Sequence, residues 1–149
     1  MAISSVHIGS RRRVDRRTVD LVHDNERFVR ELYDAMARGD GRQVAQALTV
    51  ETQWIMPGSG LLSGTYTGPD EIFGLWKRIA QQGGGGLQLE LRDVLANDRY
   101  AVALVSVRGA HEGRQLDERQ VAVFEFENGR LHSGTFIYED PLAYESFWH

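Results

Sequence analysis

Between Asn25 and Arg38, apolar residues recur every three or four positions, at Phe28, Val29, Leu32, Tyr33, Ala35 and Met36. That is the period of a helix with one buried face. Asp24 is placed to cap it and Gly39 to stop it. Asp40 then opens a second, short helix carrying Val44, Ala45, Ala47 and Leu48. Residues 52–57 read as a strand ended by Pro57 and Gly58, and 59–68 as a turn-rich connection. A third helix runs from Pro69 to about Gln82, with proline in its first turn and Asp70 and Glu71 at the positive end of its dipole. Ile72, Trp76, Ile79 and Ala80 form its buried stripe. Four glycines, 83–86, then break the pattern; no Gly-Lys-Ser/Thr follows, so they read as a connector and not as a phosphate cradle. Strand-like runs occupy 87–95, 100–109, 114–127 and 130–138, with turns at Asn97-Asp98, His111–Gly113 and Asn128-Gly129 and a short terminal segment beyond.

Helices first and strands in succession afterwards are an α+β order, and 149 residues suffice for one domain with a substantial core. Charge divides the chain unevenly. Residues 1–22 carry Arg11, Arg12, Arg13, Arg16 and Arg17 against Asp15 and Asp20, a net +3, while the remainder is −7. We read 1–22 as a flexible arginine-rich leader and 23–149 as the single domain. No aromatic residue interleaves those arginines, as single-strand nucleic-acid binders require, so no nucleic-acid partner is expected. Cysteine is absent, which excludes disulfides, a thiolate nucleophile and cysteine-ligated zinc. No run of about 18 apolar residues and no export-signal pattern is present, so a cytoplasmic protein without a membrane partner is expected.

Trp54-Ile55-Met56-Pro57-Gly58, then Gly64-Thr65-Tyr66-Thr67-Gly68 leading into the third helix, carry a wider pattern. Together with Val29-Arg30-Glu31-Leu32-Tyr33 through Gly39-Asp40, and with the ending Asp140-Pro141 and Phe147-Trp148, they resemble the SnoaL-like branch of the nuclear transport factor 2-like superfamily. This superfamily is also called ketosteroid isomerase-like or cystatin-like. The resemblance covers residues 25–148. It implies a cone-shaped, curved antiparallel sheet wrapped around a small-molecule pocket, with three helices in the N-terminal half. It also implies a homodimer through the outer sheet face, where Val102, Leu104, Ser106, Val121, Val123 and Glu125 would lie. Members include polyketide cyclases, isomerases, dehydratases, hydrolases and binders, so the resemblance leaves the activity open. Ketosteroid isomerases use an aspartate base, a tyrosine and a protonated aspartic acid. Matching their pattern puts Met56, Leu32 and Ala122 at those positions, so that mechanism is not expected here.

The same matching, with strand alternation, turns Thr52, Trp54, Met56, Ala103, Val105, Val107, Glu118, Gln120, Ala122, Phe124, His132, Gly134, Phe136 and Tyr138 inward. Trp54, Met56, Leu32, Val105, Gln120, Ala122, Phe136 and Tyr138 are therefore the candidate ligand-binding residues. The small Ala103, Ala122 and Gly134 leave room for a ligand, unless large neighbours fill it. Acid–base work needs a titratable group with a displaced pKa, and three residues qualify. Tyr138 is inward and can donate to a carbonyl or enolate oxygen, or be an ordinary half-buried tyrosine. Glu118 has inward parity but lies near a hairpin, where water would keep it a surface carboxylate. His132 also has inward parity, with an exposed strand-edge histidine as the alternative. Asp140 reads as the cap of a terminal helical turn. The histidines share no metal-like spacing, so no metal and no cofactor are expected. A cofactor-independent enzyme of natural-product metabolism, acting on a polyketide-like or terpenoid-like molecule, and a non-catalytic binder of a hydrophobic small molecule both fit these residues.

Overall fold

The computed structural model describes residues 22–84 and 87–149. The leader expected over 1–22 lies outside them, save Val22. Helix α1 (Asp24–Ala37) buries Val29, Leu32, Tyr33 and Ala35, the stripe its periodicity predicts. Its cap is His23 and not Asp24: the His23 ring Nδ1 accepts the Asn25 N–H at 3.1 Å, so Asp24 is already helical. Gly39, at φ +68°, ends the turn after α1. Asp40 caps α2 (Gly41–Ala47), accepting the Gln43 N–H at 3.0 Å.

β1 (Gln53–Met56) is followed by β2 (Gly64–Thr67), an antiparallel partner hidden in the segment that reads as turns. Four residues containing a glycine at φ +144° carry too little alternation to announce a strand. α3 (Gly68–Gln82) buries Ile72 and Leu75. Then come β3 (Gln88–Ala96), β4 (Tyr100–His111), β5 (Arg114–Glu127) and β6 (Arg130–Tyr138), and last α4 (Pro141–Phe147), capped by the Asp140 carboxylate on the Ala143 N–H. Both β4–β5 and β5–β6 turn on two residues at positive φ, Glu112-Gly113 and Asn128-Gly129, the geometry tight hairpins favour.

The strands form one curved, open six-stranded sheet in the order β2-β1-β6-β5-β4-β3. It is antiparallel except where β1 runs parallel to β6. Four helices, one more than the N-terminal three, complete the α+β fold, and α4 is the terminal helical turn that Asp140-Pro141 announces. None of the described helices is long and apolar enough to cross a membrane.

The core lies between the sheet's concave face and α1 and α3. Trp54 is its hub, with ring centroids 4.7 Å from Phe136, 5.4 Å from Trp76 and 5.9 Å from Phe124. Ala103, Ala122 and Gly134 do face inward and are buried, and at Gly134 the room is taken by protein. A Cβ on Gly134 would stand 3.0 Å from the Phe124 ring and 3.5 Å from Trp54. A bulge changes one strand's facing. Glu125 pairs with Ser133 but Phe126 with Leu131, so His132 is the extra residue and the parity of β6 flips there. Leu131 turns inward and is buried. The inward placement of His132 is therefore corrected: its side chain is 38% exposed and lies 3.6 Å from the Glu127 carboxylate.

Candidate functional site

A cavity of about 700 Å³ opens between the concave face of the sheet and α1, α2 and α3. Its walls are mostly apolar: Trp54, Met56 and Phe136 from the sheet, Phe73, Trp76 and Ile79 from α3, and Leu87, Leu89 and Leu91 from the β3 side. Arg30, Asp34 and Asp40, all substantially exposed, mark its open side. Their charges are already engaged. Arg30 donates to Glu26 at 2.9 Å and to Asp93 at 3.0 Å, and Arg38 pairs with Asp34 and donates to Gln43 at 2.6 Å.

The inner end is different. Gln120 and Tyr144 line it, the first from β5 and the second from α4. Tyr138 on β6 lies directly across from Gln120 in the sheet register. The Tyr138 ring stacks on Tyr144 with centroids 3.9 Å apart and planes 16° from parallel. The Tyr138 hydroxyl donates to the Met56 sulfur at 3.7 Å, so it is spent on the protein and does not line the cavity. Burial drives the Tyr138 hydroxyl well above its ordinary range and pushes Tyr144 up to about 12. Both remain phenols at neutral pH.

Glu118 is two residues along β5 from Gln120, on the same face. It is only 5% exposed, and neither carboxylate oxygen has a hydrogen-bond partner among the described residues. Loss of solvation pushes its pKa up to about 7. The Gln120 side chain and the Asp140 backbone lie near enough to temper that rise, while the negative charges of Asp140 and Glu139 add to it. The expectation that water would keep Glu118 an ordinary surface carboxylate is overturned. The reason is α4, which folds back over this end of β5 and brings Tyr144, Phe147 and Trp148 into the core.

α4 is held there by its own carboxylate. Glu145 accepts the Ser59 N–H at 3.2 Å and occupies the space that a side chain at Gly58 or Gly60 would need. Ser63 ties the same loop together, accepting the Gly60 N–H and donating to the Pro57 carbonyl, both at 2.9 Å.

Of the residues that parity and resemblance single out, the structure brings Trp54, Met56, Gln120 and Phe136 to the cavity wall. Leu32, Val105 and Ala122 are buried in the core behind it. Leu32 cedes its place to Tyr33, one residue on, whose side chain lines the wall and meets Phe124 edge to face at 6.2 Å. Glu118 and Tyr138 lie beside the inner end without lining it, and His132 is remote from the wall for the reason given by its bulge. Tyr144 escaped sequence reading because a seven-residue helix has too few turns to show which face it buries. Among the described residues no three metal-ligating side chains converge.

The sequence profile of the SnoaL-like domain matches residues 29–133. The chain belongs to the SnoaL-like domain family. A Mycobacterium tuberculosis protein of uncharacterized function is 31% identical over 122 residues, which cover 81% of this chain and 93% of that one. Among solved structures, Bal32a from a soil-derived mobile gene cassette superposes with a TM-score of 0.80 at 28% identity, covering 85% of this chain and 97% of its own. A nuclear transport factor 2-like protein of unknown function from Burkholderia pseudomallei gives 0.71 at 27% identity, over 79% and 92%. The fold is therefore that of the nuclear transport factor 2-like structures.

Proposed function

We propose that this SnoaL-like protein is a cofactor-independent enzyme of natural-product metabolism. It binds a hydrophobic, polyketide-like or terpenoid-like molecule in the aromatic cavity and cyclises, isomerises or dehydrates it by moving a proton through Glu118. The observation that carries this reading is the unpaired, buried Glu118 carboxyl, beside the inner end of the cavity and on the same strand face as Gln120 of its wall, pushed up to about 7. A buried carboxyl left without a partner costs stability, and displaced pKa values concentrate where proton transfer is done. A base of that pKa is half ionised at neutral pH and takes a proton from carbon more readily than an ordinary carboxylate.

Deuterium uptake tests this without knowing the natural substrate. Two- and three-ring ketones are incubated with the protein in deuterium oxide, and uptake beside the carbonyl is followed by mass spectrometry. The expected result is uptake faster than in buffer with wild type, lost with Glu118→Gln. A second reading, sequestration of a hydrophobic molecule, is favoured by the wall itself, whose inner end presents rings, an amide and a phenol but no acid. Saturable binding of the ketones with uptake no faster than buffer would select it.

We infer as well that two copies pair through the outer sheet face. There Leu95, Val102, Leu104, Val121, Val123 and Ile137 lie on neighbouring strands in register, with Leu95 46% and Ile137 52% exposed. A contiguous apolar patch of that kind marks an interaction surface.

A further inference from the structure

Gln120 and Tyr144 are the two residues with polar side chains that line the inner end of the cavity, and both are buried. Neither makes a hydrogen bond of normal length to any described residue; Gln120 lies near the Glu118 carboxyl, and the Tyr138 and Trp148 side chains lie near the Tyr144 hydroxyl. They converge because each is fixed to Tyr138: Gln120 pairs with it across the β5–β6 ladder, and Tyr144 stacks on its ring. The Tyr138 hydroxyl does not compete for the same ligand atom, being bound to the Met56 sulfur.

The chemistry of the pair is that of donors. A phenol that stays protonated far above neutral pH offers an O–H, and a primary amide carries two N–H groups, so leaning toward Glu118 leaves one free. A ketone oxygen has two lone pairs, and Trp54, Phe136 and Trp76 supply flat apolar faces for the rings around it. We propose that Gln120 and Tyr144 form a two-donor subsite for a carbonyl oxygen of the bound ligand. This rests on the cavity reading and deepens it: a carbonyl held there is bound by Gln120, two residues along the same strand face from Glu118. An apolar ligand without a carbonyl would leave both groups buried and unpaired, which costs binding energy.

The test compares two probes of one shape, 9-fluorenone and fluorene, which differ in a carbonyl. Neither fluorenone carbon beside the carbonyl bears a hydrogen, so binding is read without turnover. Quenching of Trp54 and Trp76, both on the cavity wall, reports affinity. Wild type is expected to prefer fluorenone by roughly tenfold beyond the preference the two probes show for an apolar solvent, the worth of two hydrogen bonds in a buried site. Tyr144→Phe keeps the stacked ring, and it and Gln120→Leu should each reduce that excess to about threefold or less. Equal preference in wild type, or an excess that survives both substitutions, would overturn the subsite. Failure of both probes to bind would instead count against the cavity as a small-molecule site, and with it the subsite.

Discussion

Glu118 ties stability and activity to the same proton with opposite signs. Its folded-state pKa, about 7, lies above the 4.5 of a free glutamate, so between those values the folded chain holds more protons than the unfolded one. Stability is therefore greatest below about pH 4.5 with respect to this group and falls as pH rises through 7, by up to about 3 kcal/mol. Urea denaturation at pH 5 and pH 8 checks this, since Glu118→Gln should flatten that part of the pH dependence. A base must be ionised, so deuterium uptake should rise through pH 7 while stability declines. Tyr138→Phe is expected to be mild, about 1 kcal/mol or less in denaturation, because it removes only a bond to sulfur. At this scale the family match, with strand alternation, was enough to place Trp54, Met56, Gln120 and Phe136 on the wall. It could not bury Glu118, because α4 comes from the other end of the domain, and it misplaced His132 because nothing in a single sequence marks the extra residue of a bulge.

Elements hold these residues through two close approaches. The 58–63 loop grips α4 through Glu145, and Gly58 sits at φ +89°, a conformation that side chains resist. Gly58→Ala should cost more than about 1 kcal/mol from backbone strain alone. By displacing Glu145 it should also loosen α4, which faster amide hydrogen exchange over 141–147 would reveal. Gly134→Ala overpacks the Trp54–Phe124 contact and should destabilise by roughly 1–3 kcal/mol in urea denaturation. The helices, the boundaries at Gly39, Asp40 and Asp140 and the four long strands were legible because each has its own period or turn chemistry, whereas the cap of α1 fell to His23 and not to Asp24. β2 was not, and neither was the parallel pairing of β1 with β6, which is decided by where the long β3–β6 meander brings the chain back.

For the whole molecule, the outer face predicts a dimer that Ile137→Asp or Val123→Glu should convert to a folded monomer, read by sedimentation with circular dichroism as the control. A wild-type monomer at micromolar concentration would remove that interface. Inside the cone, an apolar chamber of about 700 Å³ ends on a polar corner made by β5, β6 and α4, a division that no single element contains. The enzyme reading depends on a carboxyl in that corner that titrates near neutrality. Carbon-detected NMR titration of the Glu118 side-chain carboxyl, assigned by its loss in Glu118→Gln, measures it directly. A midpoint close to 7 is the predicted result, and a midpoint near 4.5, that of a hydrated surface glutamate, would contradict proton transfer through Glu118.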